Sequence, residues 1–131
     1  MALPVTAFFA GINALILCWL AFKVIRIRQT GIGLGDGGNL TLQRLIRGHG
    51  NAAEYMPIGL IMLALAEGLG APFWAATLLG LLLTAGRLVH ALHFSDILPA
   101  IVWRMIGMMA TFGALFLSAF GLIGYSVFLA L

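Results

Sequence analysis

Charge is what this chain has least of. Only 8% of its 131 residues are Asp, Glu, Lys or Arg, against 63% hydrophobic, and its mean hydropathy is +1.12. Soluble domains carry about 25% charged residues, so the chain lacks the polar surface to stay in water as a monomer. Cysteine is nearly absent: Cys18 stands alone in an apolar run. That excludes an intrachain disulfide and leaves Cys18 as a small helix- or lipid-facing side chain. The formal charge of +3 comes from seven scattered basic residues, so no basic patch points to nucleic acid. The first apolar run has no basic residue before it; Lys23, Arg26 and Arg28 follow it. With no small-x-small cleavage site and polar mature start after it, this run is expected to be a retained helix.

What the chain has in quantity is long apolar sequence. A helix needs about 20 residues to cross a hydrocarbon core roughly 30 Å thick. Four stretches reach that length, at about 3–26, 42–69, 72–94 and 98–131. The breaks between them carry turn chemistry. Residues 30–38 are glycine-rich, and Asn39 or Thr41 can cap the next helix. Gly68-Leu69-Gly70-Ala71-Pro72 reads as a tight turn, and Ser95-Asp96 before Pro99 as the start of helix four. Short second and third connections make helices two to four antiparallel neighbours. The expected fold is an all-α integral membrane four-helix bundle, up-down-up-down, forming a single transmembrane domain over 1–131.

Basic residues set the expected orientation. Lys23, Arg26, Arg28, Arg44 and Arg47 surround the first loop and Arg87 and Arg104 flank the third, while the second loop and both termini have none. Positive residues mark the cytoplasmic side, which places both termini on the non-cytoplasmic side. Small residues form stripes at Gly107, Thr111, Ala114, Ser118 and Gly121 in helix four, and at Ala7, Gly11, Ala14, Cys18 and Ala21 in helix one. Such stripes read as close helix–helix contacts, within one chain or between subunits.

Helix two carries polar groups into the membrane. Arg47, Asn51, Glu54 and Tyr55 fall within an arc of about 100° at helical spacing, and Arg44 shares it. An ionised group at the centre of a membrane helix costs about 2.5–3.5 kcal/mol, so it pairs or binds something. An Arg47–Glu54 pair that only holds the bundle is the plainer alternative. Glu67, at the far end of helix two, is expected to be an interfacial charge. Arg87 and His90 end helix three, Arg104 opens helix four, and all can converge with helix two on one cytoplasm-facing cavity. His90 and His93 offer metal or haem ligation only weakly, since no further ligand completes a site, and no metal is expected. Several arginines with Glu, Asn and Tyr suit a small molecule bearing carboxylates, an ammonium and amides. Glutathione has that inventory, as do other amino-acid-like ligands.

The run Arg47-Gly48-His49-Gly50-Asn51-Ala52-Ala53-Glu54-Tyr55-Met56-Pro57 resembles the helix-two signature of the membrane-associated proteins in eicosanoid and glutathione metabolism (MAPEG). The shared pattern is Arg, three residues, Asn, two residues, Glu, then Pro. Ala85-Gly86-Arg87-Leu88-Val89-His90 looks like the family's end of helix three, and the short loops look like its small bacterial branch. The resemblance covers the whole chain and implies a homotrimer with glutathione, as co-substrate, bound between neighbours. By resemblance, Arg47, Asn51, Glu54 and Tyr55 hold the tripeptide, helped by Arg28 of an adjacent subunit and by Arg87 and His90. Arg104 looks like the helix-four arginine that faces the sulfur and is the expected catalytic residue.

There are departures from the pattern. Phe94 stands where several members have tyrosine, Gly50 where some have a basic residue, and Met105 and Met108 where some prostaglandin-forming relatives are polar. These argue against a specialised eicosanoid synthase. The expected function is a membrane glutathione transferase, with peroxidase activity in its scope, acting on lipophilic electrophiles from the bilayer. In a bacterium it would lie in the inner membrane with its site on the cytoplasmic side. The alternatives are a non-catalytic glutathione or lipid binder that regulates a partner, and a small four-helix exporter. Such exporters carry an essential glutamate in helix one, where this chain has no acidic residue.

Overall fold

A computed structural model describes residues 2–131. Four helices follow in order: α1 (Pro4–Arg28), α2 (Leu40–Gly68), α3 (Phe73–Phe94) and α4 (Ile101–Ala130). Among the described residues there is no strand. Three of the helices, α1, α3 and α4, are long and apolar enough to cross a membrane. This is one fewer than the four expected spans. α2 has the length, but Arg44, Arg47, His49, Asn51 and Glu54 crowd its first half and lower its hydropathy.

The ends of the helices follow local chemistry. Pro4 stands in the first turn of α1, where a missing N–H costs nothing. Asn39, not Thr41, caps α2: its side-chain oxygen accepts from the Leu42 N–H at 2.9 Å. Gly70, at φ 89°, makes the turn into α3; that left-handed backbone favours glycine. The expected start of α4 near residue 98 is corrected to Ile101. Neither Ser95 nor Asp96 caps it, and its N-cap is Ala100. Instead, the N–H groups of Ile97 and Leu98 bond back to Leu92 O, and His93 Nδ1 lies 3.1 Å from Leu98 O. Residue 98 therefore belongs to the winding-down of α3, and Pro99 disfavours helix at the residue before it.

α3 and α4 meet at two glycines. A Cβ on Gly86 would stand 2.9 Å from Gly107 O, and one on Gly107 would stand 2.8 Å from Gly86 O. The backbones touch there, as small residues allow in membrane bundles. Gly107, Thr111, Ala114 and Ser118 are the buried residues of α4, so most of its small stripe is an intrachain contact. The α1 stripe is different. α1 buries Val5, Phe9, Asn13, Ile16 and Leu20, while Ala7, Gly11, Ala14 and Cys18 lie exposed on its outer side. α1 packs on α2 and α3, and α4 packs on α2 and α3. The outer surface also carries Phe8, Leu15, Phe22, Phe116, Phe120 and Phe128, an apolar exposure that suits lipid.

Two polar ties join helix ends. Glu67, at the end of α2, accepts from the backbone N–H groups of Val5 and Thr6 at 2.9 and 2.8 Å and from the Thr6 hydroxyl at 2.7 Å. It is thus more than an interfacial charge. Near the start of α2, Arg44 pairs with Asp96 and donates to His93 O at 3.1 Å.

Candidate functional site

A cavity of ≈ 480 Å³ opens between α2, α3 and α4 and is lined by Ile46, Arg47, Gly50, Asn51, Glu54, His90, Phe94, Arg104 and Met108. The one-face spacing in α2 puts Arg47, Asn51 and Glu54 on its wall. The late turns of α3 add His90 and Phe94, and the first turns of α4 add Arg104 and Met108. A second cavity, of ≈ 380 Å³ at the α2–α3 turn, is lined by no charged residue. A third, of ≈ 200 Å³, is lined by Lys23, Arg26 and Asp96 but by none of the expected site residues, so the cavity that gathers Arg47, Glu54 and Arg104 is the candidate site.

Five of the eight expected site residues come together there: Arg47, Asn51, Glu54, His90 and Arg104. The alternative Arg47–Glu54 pair is not formed. Arg44–Asp96 is the salt bridge among the described residues, leaving Arg47, Glu54 and Arg104 free to meet a ligand. The Arg104 guanidinium carbon lies 5.5 Å from the Phe94 ring centroid, a cation–π approach that steadies it without using its N–H donors. Phe94 also packs on the His90 ring at 4.9 Å. It fits closely over α2, because a Cβ on Gly48 would come within 2.7 Å of Phe94 Cβ.

The other three expected residues lie elsewhere. Tyr55 is turned toward α4, its ring edge-on to Phe112 at 5.6 Å, with the Arg87 guanidinium carbon 5.3 Å from its centroid. Arg87 is buried beside the cavity without lining it, bonded to Asn51 and Thr111. Arg28 points into the first loop, where it donates to Gly33 O at 3.0 Å; the expectation for Arg28 concerns a neighbouring subunit. His93, raised as a weak ligand candidate, is engaged with Leu98 O. Reading the sequence missed Ile46 in the wall and the part played by Thr111. Ile46 gives no sequence signal beyond adjacency to Arg47, and Thr111 showed only as a small residue in a packing stripe.

Long apolar helices and a lipid-compatible outer surface define an integral membrane protein with a polar cavity inside its bundle. The family model described as the MAPEG family matches residues 6–124, and the chain belongs to the MAPEG family. It is also similar to two proteins named inner membrane protein YecN, from Escherichia coli (strain K12) and Escherichia coli O6:H1 (strain CFT073). Each is 43% identical over 114 residues, covering 86% of this chain and 86% of the relative.

Proposed function

We propose that the chain is a membrane glutathione transferase, with peroxidase activity in its scope, which conjugates lipophilic electrophiles arriving from the bilayer. The observation that carries this reading is the cavity itself. Two free guanidiniums, a free carboxylate and an amide face one space, and charges so placed in a membrane bundle call for a partner. Arg47 suits a ligand carboxylate, Glu54 its ammonium, and Asn51 a peptide group. No hydroxyl lines the cavity, so favouring the thiolate over the thiol falls to Arg104, with His90 beside it. In this reading α2 crosses as well, with Arg47, Asn51 and Glu54 turned into the cavity, so the four helices run up and down in turn, both termini outside and the site on the cytoplasmic side that basic residues favour.

The functional unit in this reading is a homotrimer. The small residues exposed along α1 suit close contact with a neighbour, and that contact would bring Arg28 of one subunit to the second carboxylate of glutathione bound to another. Calorimetric titration with glutathione tests binding, and conjugation of a chlorinated aromatic electrophile tests turnover. Saturable binding without turnover would favour the non-catalytic binder. The exporter reading finds no support in α1, which has no acidic residue.

A further inference from the structure

Arg87 is 1% exposed, and each of its three nitrogens is already engaged. Nε donates to Thr111 Oγ1 at 2.8 Å, one terminal nitrogen to Asn51 Oδ1 at 2.8 Å, and the other to Met108 Sδ at 3.2 Å. Thr111 is itself fully buried and gives its own proton to Gly107 O at 2.8 Å, so its lone pairs are left for Arg87. This arrangement exists because Gly86 and Gly107 let α3 and α4 touch backbone to backbone. A ligand in the cavity does not meet Arg87 unless the whole unit opens.

We propose that Arg87 is a positioning residue: it acts through Asn51, holding that amide so its N–H₂ faces the cavity and selects a carbonyl or carboxylate oxygen of the ligand. A guanidinium offers only donors. The Asn51 atom against it must therefore be the oxygen, which settles which end of the amide points where. Asn51 lines the cavity, and its Nδ2 makes no hydrogen bond among the described residues and is not a sealed, unpartnered atom. The donor is free and oriented before any ligand arrives, and such preorganisation lowers the ordering cost of binding. Thr111, on a third helix and outside the cavity wall, is the anchor that fixes the arginine's angle.

The proposal rests on the glutathione reading for its ligand, so the test has an arm that needs none. In that arm, melting of the detergent-solubilised protein is compared for wild type, Asn51→Asp and Asn51→Ala. An aspartate still accepts from Arg87 whereas an alanine does not, so Asn51→Asp should melt close to wild type and Asn51→Ala clearly lower. Equal losses in the two variants would overturn the Arg87–Asn51 clamp, whether or not glutathione binds.

The second arm is a double-mutant cycle read by glutathione titration. Thr111→Val, which keeps the shape and removes the acceptor, should weaken binding about tenfold in the wild-type background and less than about twofold in the Asn51→Ala background. Thr111→Ser, which restores the acceptor, should recover wild-type affinity. An equal loss from Thr111→Val in both backgrounds would overturn the proposal, because Arg87 would then act on the ligand without Asn51. Wild-type protein that binds no glutathione would overturn the ligand reading alone and leave the melting arm to decide the clamp.

Discussion

Glu67 closes the open end of α1 by accepting from both the backbone N–H and the hydroxyl of Thr6, at 2.8 and 2.7 Å, and from the Val5 N–H as well. α1 has no cap of its own, because its N-cap residue is Leu3. An anion on the first free N–H groups of a helix satisfies them and meets the positive end of the helix dipole. A residue distant in sequence thus does the work of a local cap and fastens α1 to α2.

Replacing that carboxylate should cost stability without touching the site. Glu67→Gln keeps one acceptor oxygen and loses the charge, a loss of about 1 kcal/mol by analogy with other N-terminal caps. Thermal melting in detergent should fall by a few degrees while glutathione affinity stays at the wild-type value. A fall in affinity with unchanged melting would mean that Glu67 serves the ligand instead.

The glycine contact makes a sharper claim about packing. Gly86→Ala places a methyl 2.9 Å from Gly107 O and from the Thr111 N–H nitrogen, backbone atoms that cannot turn aside. The helices must separate, at a cost of about 1–3 kcal/mol. Gly113→Ala meets only the end of the Leu82 side chain, at 3.4 Å, and should melt near wild type. Equal melting of the two variants would contradict the close approach.

The two small-residue stripes looked alike in sequence, and only the fold separates them: α4 turns its stripe onto α3, while α1 turns its stripe outward. Periodicity reports which residues share a face but not what the face meets. The same limit governs the site. The spacing of Arg47, Asn51 and Glu54 put them together on α2 because a helix has a fixed pitch, and all three line the cavity. Tyr55 sits at its edge, and Phe112 on α4 draws it away. The partners of Arg87 were not legible, because Asn51 and Thr111 are 36 and 24 residues distant in sequence. The helix boundaries were readable to within a few residues wherever Gly, Pro or Asn made the turn. The start of α4 was missed because residues 95–98 bond back to α3.

The outward stripe of α1 gives a test of assembly. A Cβ on Gly11 would have nothing within 4 Å in the chain, so Gly11→Leu should leave the single subunit intact. In the proposed homotrimer the added bulk would fall at the subunit contact. Native mass spectrometry in gentle detergent should show trimer for the wild type and mostly monomer for Gly11→Leu. Monomer for the wild type across several detergents, or an undisturbed trimer for the variant, would contradict this placement.

Arg104 carries the chemistry in this account. A free thiol has a pKa of about 8.5, and the thiolate is the nucleophile. A shift of two units, about 2.7 kcal/mol, would raise the thiolate share at neutral pH from roughly 3% to roughly three quarters, about twenty-five-fold. Arg104→Ala removes the favoured thiolate, so the reaction becomes fast only at higher pH, where the thiol ionises unaided. Conjugation at neutral pH should fall by about twenty-five-fold, with the rising limb of the pH–rate profile displaced upward and glutathione affinity little changed. An unchanged profile would assign Arg104 to the membrane interface.

Whether the cavity holds glutathione is the claim on which the rest depends, and calorimetric titration of wild type and Glu54→Gln reconstituted in lipid nanodiscs tests it most directly. Glu54 lines the cavity and has no partner of its own among the described residues, so in this account it receives the ligand's ammonium. Binding to the wild type should be saturable and should weaken by about tenfold or more in Glu54→Gln. Absence of saturable binding to the wild type, or the same affinity in both proteins, would contradict that claim.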